Sequence, residues 1–150
     1  MTNIKFNLRK VAAIVACFVI TPLFWSCEED DVHNHNYIVL KNFELMVMRE
    51  DISMNTWSGA RDMCGQVRLG GFSDWRLPTL GELAILYNER NRIGGFDTLN
   101  NIKYWSSTPS DLGGFYMCQN FTNGSVGHHL DMFNQQPLAV RCVRSTLLLH

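Results

Sequence analysis

The chain lacks an apolar run long enough to cross a bilayer. Its longest stretch, Val11 to Trp25, spans fifteen residues broken by Thr21 and Pro22, short of the roughly 20 that a spanning helix needs. It has no internal repeat and no low-complexity segment. An excess of basic residues is missing too: 13 Lys and Arg stand against 14 Asp and Glu, which argues against a nucleic-acid partner. Between Ser106 and Pro137 there is no Lys or Arg at all, only His128 and His129.

What is present begins with an export signal. Lys5, Arg9 and Lys10 form a basic start, Val11 to Trp25 an apolar middle, and Ser26-Cys27 a small-residue end before Glu28-Glu29-Asp30-Asp31. That layout fits a removable signal, and its end resembles the lipobox of bacterial lipoproteins, with Phe24 where Leu is commoner. The expected organisation is a signal peptide over 1–26, an acylated Cys27, an acidic tether over 27–36 and one domain over 37–150. Ile14-Val15-Ala16-Cys17 is a poorer match, because its apolar stretch is too short. The acidic run resembles the surface-export tag of Bacteroidota lipoproteins, so the expected location is the outer membrane, at the cell surface, with a periplasm-facing domain as the alternative. His33 and His35 are read as solvated tether residues. Cleavage would leave 124 residues, enough for one core. Three of the four mature cysteines, Cys64, Cys118 and Cys142, would then remain for at most one internal pair.

Along the domain, Tyr37–Leu40 and Leu45–Met48 read as short strands. Trp57, Ala60, Cys64 and Val67 fall at helical spacing behind Asn55 or Thr56 as cap. Thr79-Leu80-Gly81-Glu82 has the form of a capping box, opening a second helix with Leu80, Leu83, Ala84, Leu86 and Tyr87 as its apolar stripe. Asn91 to Asn101 reads as a loop. From Tyr104 the period becomes two. Asn123-Gly124 predicts a two-residue hairpin turn that sets Phe121 opposite Val126, Gln119 opposite His128, Met117 opposite Leu130 and Phe115 opposite Met132. Cys118 then lies across from His129. Pro137 opens a final strand through Leu138, Val140 and Cys142. The layout is α+β.

Four ordered motifs carry a resemblance. They are Trp57-x-x-Ala60-x-x-x-Cys64, the run Gly70-Gly71-Phe72-Ser73-Asp74-Trp75-Arg76-Leu77-Pro78-Thr79-x-x-Glu82-Leu83, then Tyr104-Trp105-Ser106-Ser107-Thr108, and last Val140-Arg141-Cys142-Val143-Arg144. Together, over roughly 45–144, they resemble the Lcl C-terminal domain family of bacterial surface and secreted domains. Met46-Val47 departs from that family's Leu-Met-Trp. The resemblance implies a C-type-lectin-like fold, two helices packed on a small antiparallel sheet, with a Cys64–Cys142 disulfide that would be worth on the order of 4 kcal/mol. It also implies adhesion, in some members through sulfated polysaccharides; the missing cations between Ser106 and Pro137 fit such ligands poorly. Trp75 and Trp105 are expected in the core. Arg76 is expected to hold backbone carbonyls or an acid such as Asp74.

The chemistry-bearing residues are few. Calcium-dependent sugar binding needs acids after a Pro turn and a later Trp-Asn-Asp; Gln135-Gln136-Pro137-Leu138 supplies neither. Cys118, with His129 opposite and Asp131 beyond, is the one candidate for an activated thiol or a metal ligand. The expectation is a non-enzymatic binding or adhesion module, without metal or cofactor, tied to the membrane by its lipid. It would present Tyr116, Asn123, Ser125, His129 and Asp131 to a glycan or protein. The alternatives are a structural subunit of an envelope or fibre assembly and a redox or metal enzyme centred on Cys118.

Overall fold

The computed structural model describes residues 36–131 and 136–147. The signal peptide, Cys27, the tether through His35, Met132 as a partner of Phe115 and the last three residues all lie outside that range. None of the helices among the described residues is long and apolar enough to cross a membrane.

Two strands form within the bounds that the sequence predicts, β1 (Tyr37–Leu40) and β2 (Leu45–Met48). They pair antiparallel from Tyr37 against Met48 to Leu40 against Leu45. A 3-10 turn over Lys41–Phe43 joins them, closed by Glu44 in the left-handed region at φ 52°. Next come β3 (Met54–Asn55) and α1 (Trp57–Gln66). Thr56 caps α1, its hydroxyl accepting from the Gly59 N–H at 3.3 Å. Helix α2 (Leu80–Asn88) carries the expected capping box. Thr79 Oγ1 accepts from the Glu82 N–H at 3.2 Å, and the Glu82 carboxylate accepts from the Thr79 N–H at 2.7 Å. These reciprocal bonds satisfy two donors that the helix itself cannot.

The loop expected over 91–101 opens instead with a short helix, α3 (Arg90–Ile93), because Ile93 is fully buried and draws the chain inward. On α2, Leu83 and Leu86 are buried while Ala84 faces solvent, so the apolar stripe is narrower than expected. After α3 come β4 (Lys103–Pro109), β5 (Phe115–Asn120), β6 (Val126–Leu130), β7 (Leu138–Ala139) and β8 (Val143–Ser145).

The architecture is α+β, with two sheets where one was expected. One sheet runs β1-β2-β8, the other β3-β7-β4-β5-β6, and β7 lies parallel to β4. The final strand predicted after Pro137 is divided between them. Between its halves, Val140 donates its N–H to Ser53 and accepts from Ile52, and the Cys142 carbonyl accepts from Met48. Arg141 turns fully inward there. Its Nε donates to Asp51 at 2.7 Å, Nη1 to the Met48 and Gly94 carbonyls, and Nη2 to the Gly95 carbonyl at 2.6 Å. Phe96 lies under the guanidinium, 3.8 Å from ring centroid to Cζ. A buried charge is tolerated only with such complete partnering.

The core has two parts. Around α2, Leu83, Leu86, Ile93, Tyr104 and Phe121 pack with Ile38, Leu40 and Val47 of the smaller sheet. Around α1, Trp57, Ala60, Cys64, Trp75, Leu77, Trp105 and Cys118 pack with Val140 and Cys142. Cys64 and Cys142 are joined as a disulfide, their Cα atoms 5.6 Å apart. Trp75 and Trp105 are both core residues, as expected. Arg76 holds a backbone carbonyl, that of Leu77 at 3.2 Å, and an acid, as expected; the acid is Glu82 rather than Asp74, in a two-pronged pair at 2.7 Å. Asp74 is taken by Arg144 at 2.7 Å.

Candidate functional site

The hairpin register decides what the predicted site residues can do. Gln119 stands opposite Val126, Cys118 opposite Gly127, Met117 opposite His128, Tyr116 opposite His129 and Phe115 opposite Leu130. Every pair is displaced by two residues from the sequence reading. Asn120 causes the shift. Its carbonyl accepts from the Gly124 N–H, its N–H donates to the Ser125 carbonyl, and its side-chain oxygen accepts from the Thr122 and Asn123 N–H groups. The turn is therefore longer than Asn123-Gly124. Phe121 leaves the ladder for the core, where its ring meets Tyr104 at 4.4 Å and Phe96 at 4.7 Å.

The register corrects the Cys118 reading. Gly127, not His129, faces the thiol, so the Cys–His pair that would activate it is not formed. Cys118 is buried. Burial pushes its thiol up, and the nearby Lys103 charge and a Gly127 backbone hydrogen bond only partly counter that. A thiol raised in this way is a poor nucleophile.

The five residues expected to meet a ligand are scattered. Tyr116 lies flat against Trp57, with ring centroids 3.5 Å apart and planes 6° from parallel. Asp131 Oδ1 accepts from the Ser58 N–H and hydroxyl at 3.3 and 3.4 Å, in the first turn of α1, where a carboxylate is favoured. The Asn123 side chain accepts from the Ser125 N–H at 2.9 Å, tying both to the turn. Of the five, His129 lines the cleft found among the described residues. Its ring packs on Trp105 with centroids 5.3 Å apart, and its Nε2 lies 3.0 Å from the Gln136 carbonyl.

That cavity is an open cleft of about 380 Å³, lined by Met54, Asn101, Ile102, Lys103, His129, Gln136, Pro137 and Leu138. Four elements of the larger sheet meet there. Met54 comes from β3, Lys103 from the start of β4, His129 from β6 and Leu138 from β7. Asn101 sits at φ 56°. It is held by donating its N–H to Thr122 Oγ1 at 3.0 Å and by accepting from the Asn120 side chain at 2.5 Å. Lys103 is half-buried. Among the described residues no group of three or more His, Cys, Asp or Glu could hold a metal ion.

Sequence reasoning found only His129 of this cleft. One signal pointed to another member: Lys103 is the only Lys or Arg between Arg92 and Arg141. The remaining lining residues are ordinary apolar and amide groups that only the meeting of β3, β4, β6 and β7 brings together.

The profile of the Lcl C-terminal domain matches residues 19–144. The chain belongs to this family. The matched span takes in every described element up to β8 and the cleft as well. No curated protein matches the chain significantly.

Proposed function

We propose that this Lcl-family chain is a non-catalytic recognition module of the cell envelope, anchored through an acylated Cys27 and binding its ligand without calcium. Its scaffold is proposed to be of the C-type-lectin-like kind, and its ligand a glycan or a protein. The single observation that carries the reading is the cleft. A 380 Å³ opening, walled by four strands' ends and a few polar groups, falls in the range of small-ligand sites, about 300–1,000 Å³. Rigid walls help, since a preformed site loses little freedom on binding. The Arg141 hydrogen bonds and the Cys64–Cys142 bond fix the segment that follows Leu138 of the cleft wall.

The test uses the purified full-length chain in detergent against a glycan array and a panel of extracellular-matrix proteins. Met54 is half-exposed on the cleft wall, so Met54→Trp narrows the mouth without touching the core. Binding that Met54→Trp abolishes supports the reading. Binding untouched by that variant places recognition elsewhere and overturns it.

A second reading, a structural subunit of an envelope or fibre assembly, is favoured by β6. It ends the sheet order and carries neither Lys nor Pro, the usual protections of a sheet edge. Sedimentation of the full chain over a concentration series tests it; a monomer throughout counts against it.

A further inference from the structure

The chemistry of the cleft is one-sided, and we infer from it the class of ligand: an apolar group bearing one carboxylate, the size of a single ring or short acyl chain. This rests on the cleft being the recognition site, and three observations carry it further.

The first is charge. None of the eight lining residues is acidic, and one, Lys103, is a cation. Among the described residues its ammonium has no ion pair and no hydrogen bond, and its charge is felt by the buried Cys118 thiol. Lys103 is half-buried beside apolar walls, and an anion seated in the cleft would pair with its ammonium.

The second is donor placement. The Asn101 side-chain oxygen is already committed to Asn120, while its amide NH₂ meets no acceptor among the described residues. The cleft thus offers an ammonium and an amide two residues apart in the chain and no side-chain carboxylate acceptor. A carboxylate, which only accepts, is the complementary group.

The third is the wall. Met54, Ile102, Pro137 and Leu138 are apolar. A polyhydroxylated ring seated there would lay most of its hydroxyls against carbon, at a cost in unmade hydrogen bonds. An apolar body gains by the same contact. A polyanion is disfavoured as well, since Lys103 is the one Lys or Arg among the described lining residues and a second charge would meet no such partner there.

Such a group can arrive as a free small acid or as the C-terminal residue of a peptide, and titration calorimetry of the full-length chain separates the two. The first pair of probes is phenylacetate and its neutral counterpart 2-phenylethanol. The second is N-acetyl-glycyl-phenylalanine and its C-terminal amide. The expected result is a preference of about tenfold for the acid in at least one pair; the pair that binds more tightly names the source. Lys103→Met removes that preference, Lys103→Arg keeps it, and Lys103→Gln replaces the Met variant if the latter does not fold. Equal binding of acid and neutral probe, or a preference that survives Lys103→Met, overturns the charge inference while leaving the cleft a binding site. No binding of any probe by the folded native chain overturns the ligand class, while the cleft's role is judged separately by the Met54→Trp test on glycans and matrix proteins.

Discussion

Two regions of the larger sheet differ in what they are made of. The end near α1 and the β7–β8 segment is dense with the family's motif residues: Trp57, Cys64, Trp105, Arg141 and Cys142, all buried and all partnered. The cleft end carries none of them, and its walls are Met, Ile, Pro and Leu around one Lys that makes no ion pair among the described residues. Residues that identify the family hold the scaffold; those that line the cleft belong to no motif. A fold signature and a site are different things on one chain.

The contrast can be broken from the scaffold side first. Replacing Cys64 and Cys142 together with Ala should cost about 4 kcal/mol, lowering the thermal midpoint by on the order of 15 °C. Reductant should reproduce the loss in the native chain and add nothing to the variant. Arg141→Met should cost about 3 kcal/mol, because Asp51 and the Met48, Gly94 and Gly95 carbonyls lose their donor together. Denaturant titration measures it; a change under 1 kcal/mol would show that water takes over those groups. Gly95→Ala should have an effect of similar size, since at φ 70° its added Cβ would run into the Arg49 carbonyl.

Smaller effects come from the two partly exposed ion pairs. The Arg144 guanidinium holds the Asp74 carboxyl below its usual range. Burial raises Glu82, but the Arg76 bond and the Thr79 N–H reverse it to a net lowering. A lowered folded-state pKa means stability that is present at neutral pH and lost as pH falls through the usual carboxylate range near 4. Both pairs are partly exposed, so the loss should stay under about 1 kcal/mol each. Arg76→Ala should flatten part of that acid limb in pH-dependent melting. Smallest of all, Lys103→Met should leave the thermal midpoint within about 0.5 kcal/mol of native stability. A variant that changes ligand preference without changing stability is the clearest separation of the two regions.

Much of the scaffold was legible because its signals are local. The Thr79–Glu82 capping box, the spacing of Trp57, Ala60 and Cys64, and the apolar runs of β1 and β2 each fix an element within a few residues. The Cys64–Cys142 bond came from the family resemblance instead. The hairpin register was not legible, for a definite reason. A shift of two residues leaves every side chain on its own face, so alternation is blind to it. Only the Asn120 side chain and the pull of Phe121 into the Tyr104 and Phe96 rings choose between the registers. The split of the final strand was hidden similarly, because Arg141 looks like an outward residue in a pattern of two. The cleft escaped because its lining comes from four separated segments.

The Cys64–Cys142 bond also sets how the domain responds to load. Every lining residue of the cleft except Met54 lies between those two cysteines. If the chain is held at Asn36 and pulled through a ligand in the cleft, the closed loop transmits tension across its covalent link. Only the stretch from Asn36 to Cys64, Met54 included, can then pay out, about 100 Å when fully drawn, while the loop that carries the other cleft residues stays tied. The cross-link thereby acts as a strain limiter. In a reducing medium the same pull would reel out the loop itself and take the cleft apart.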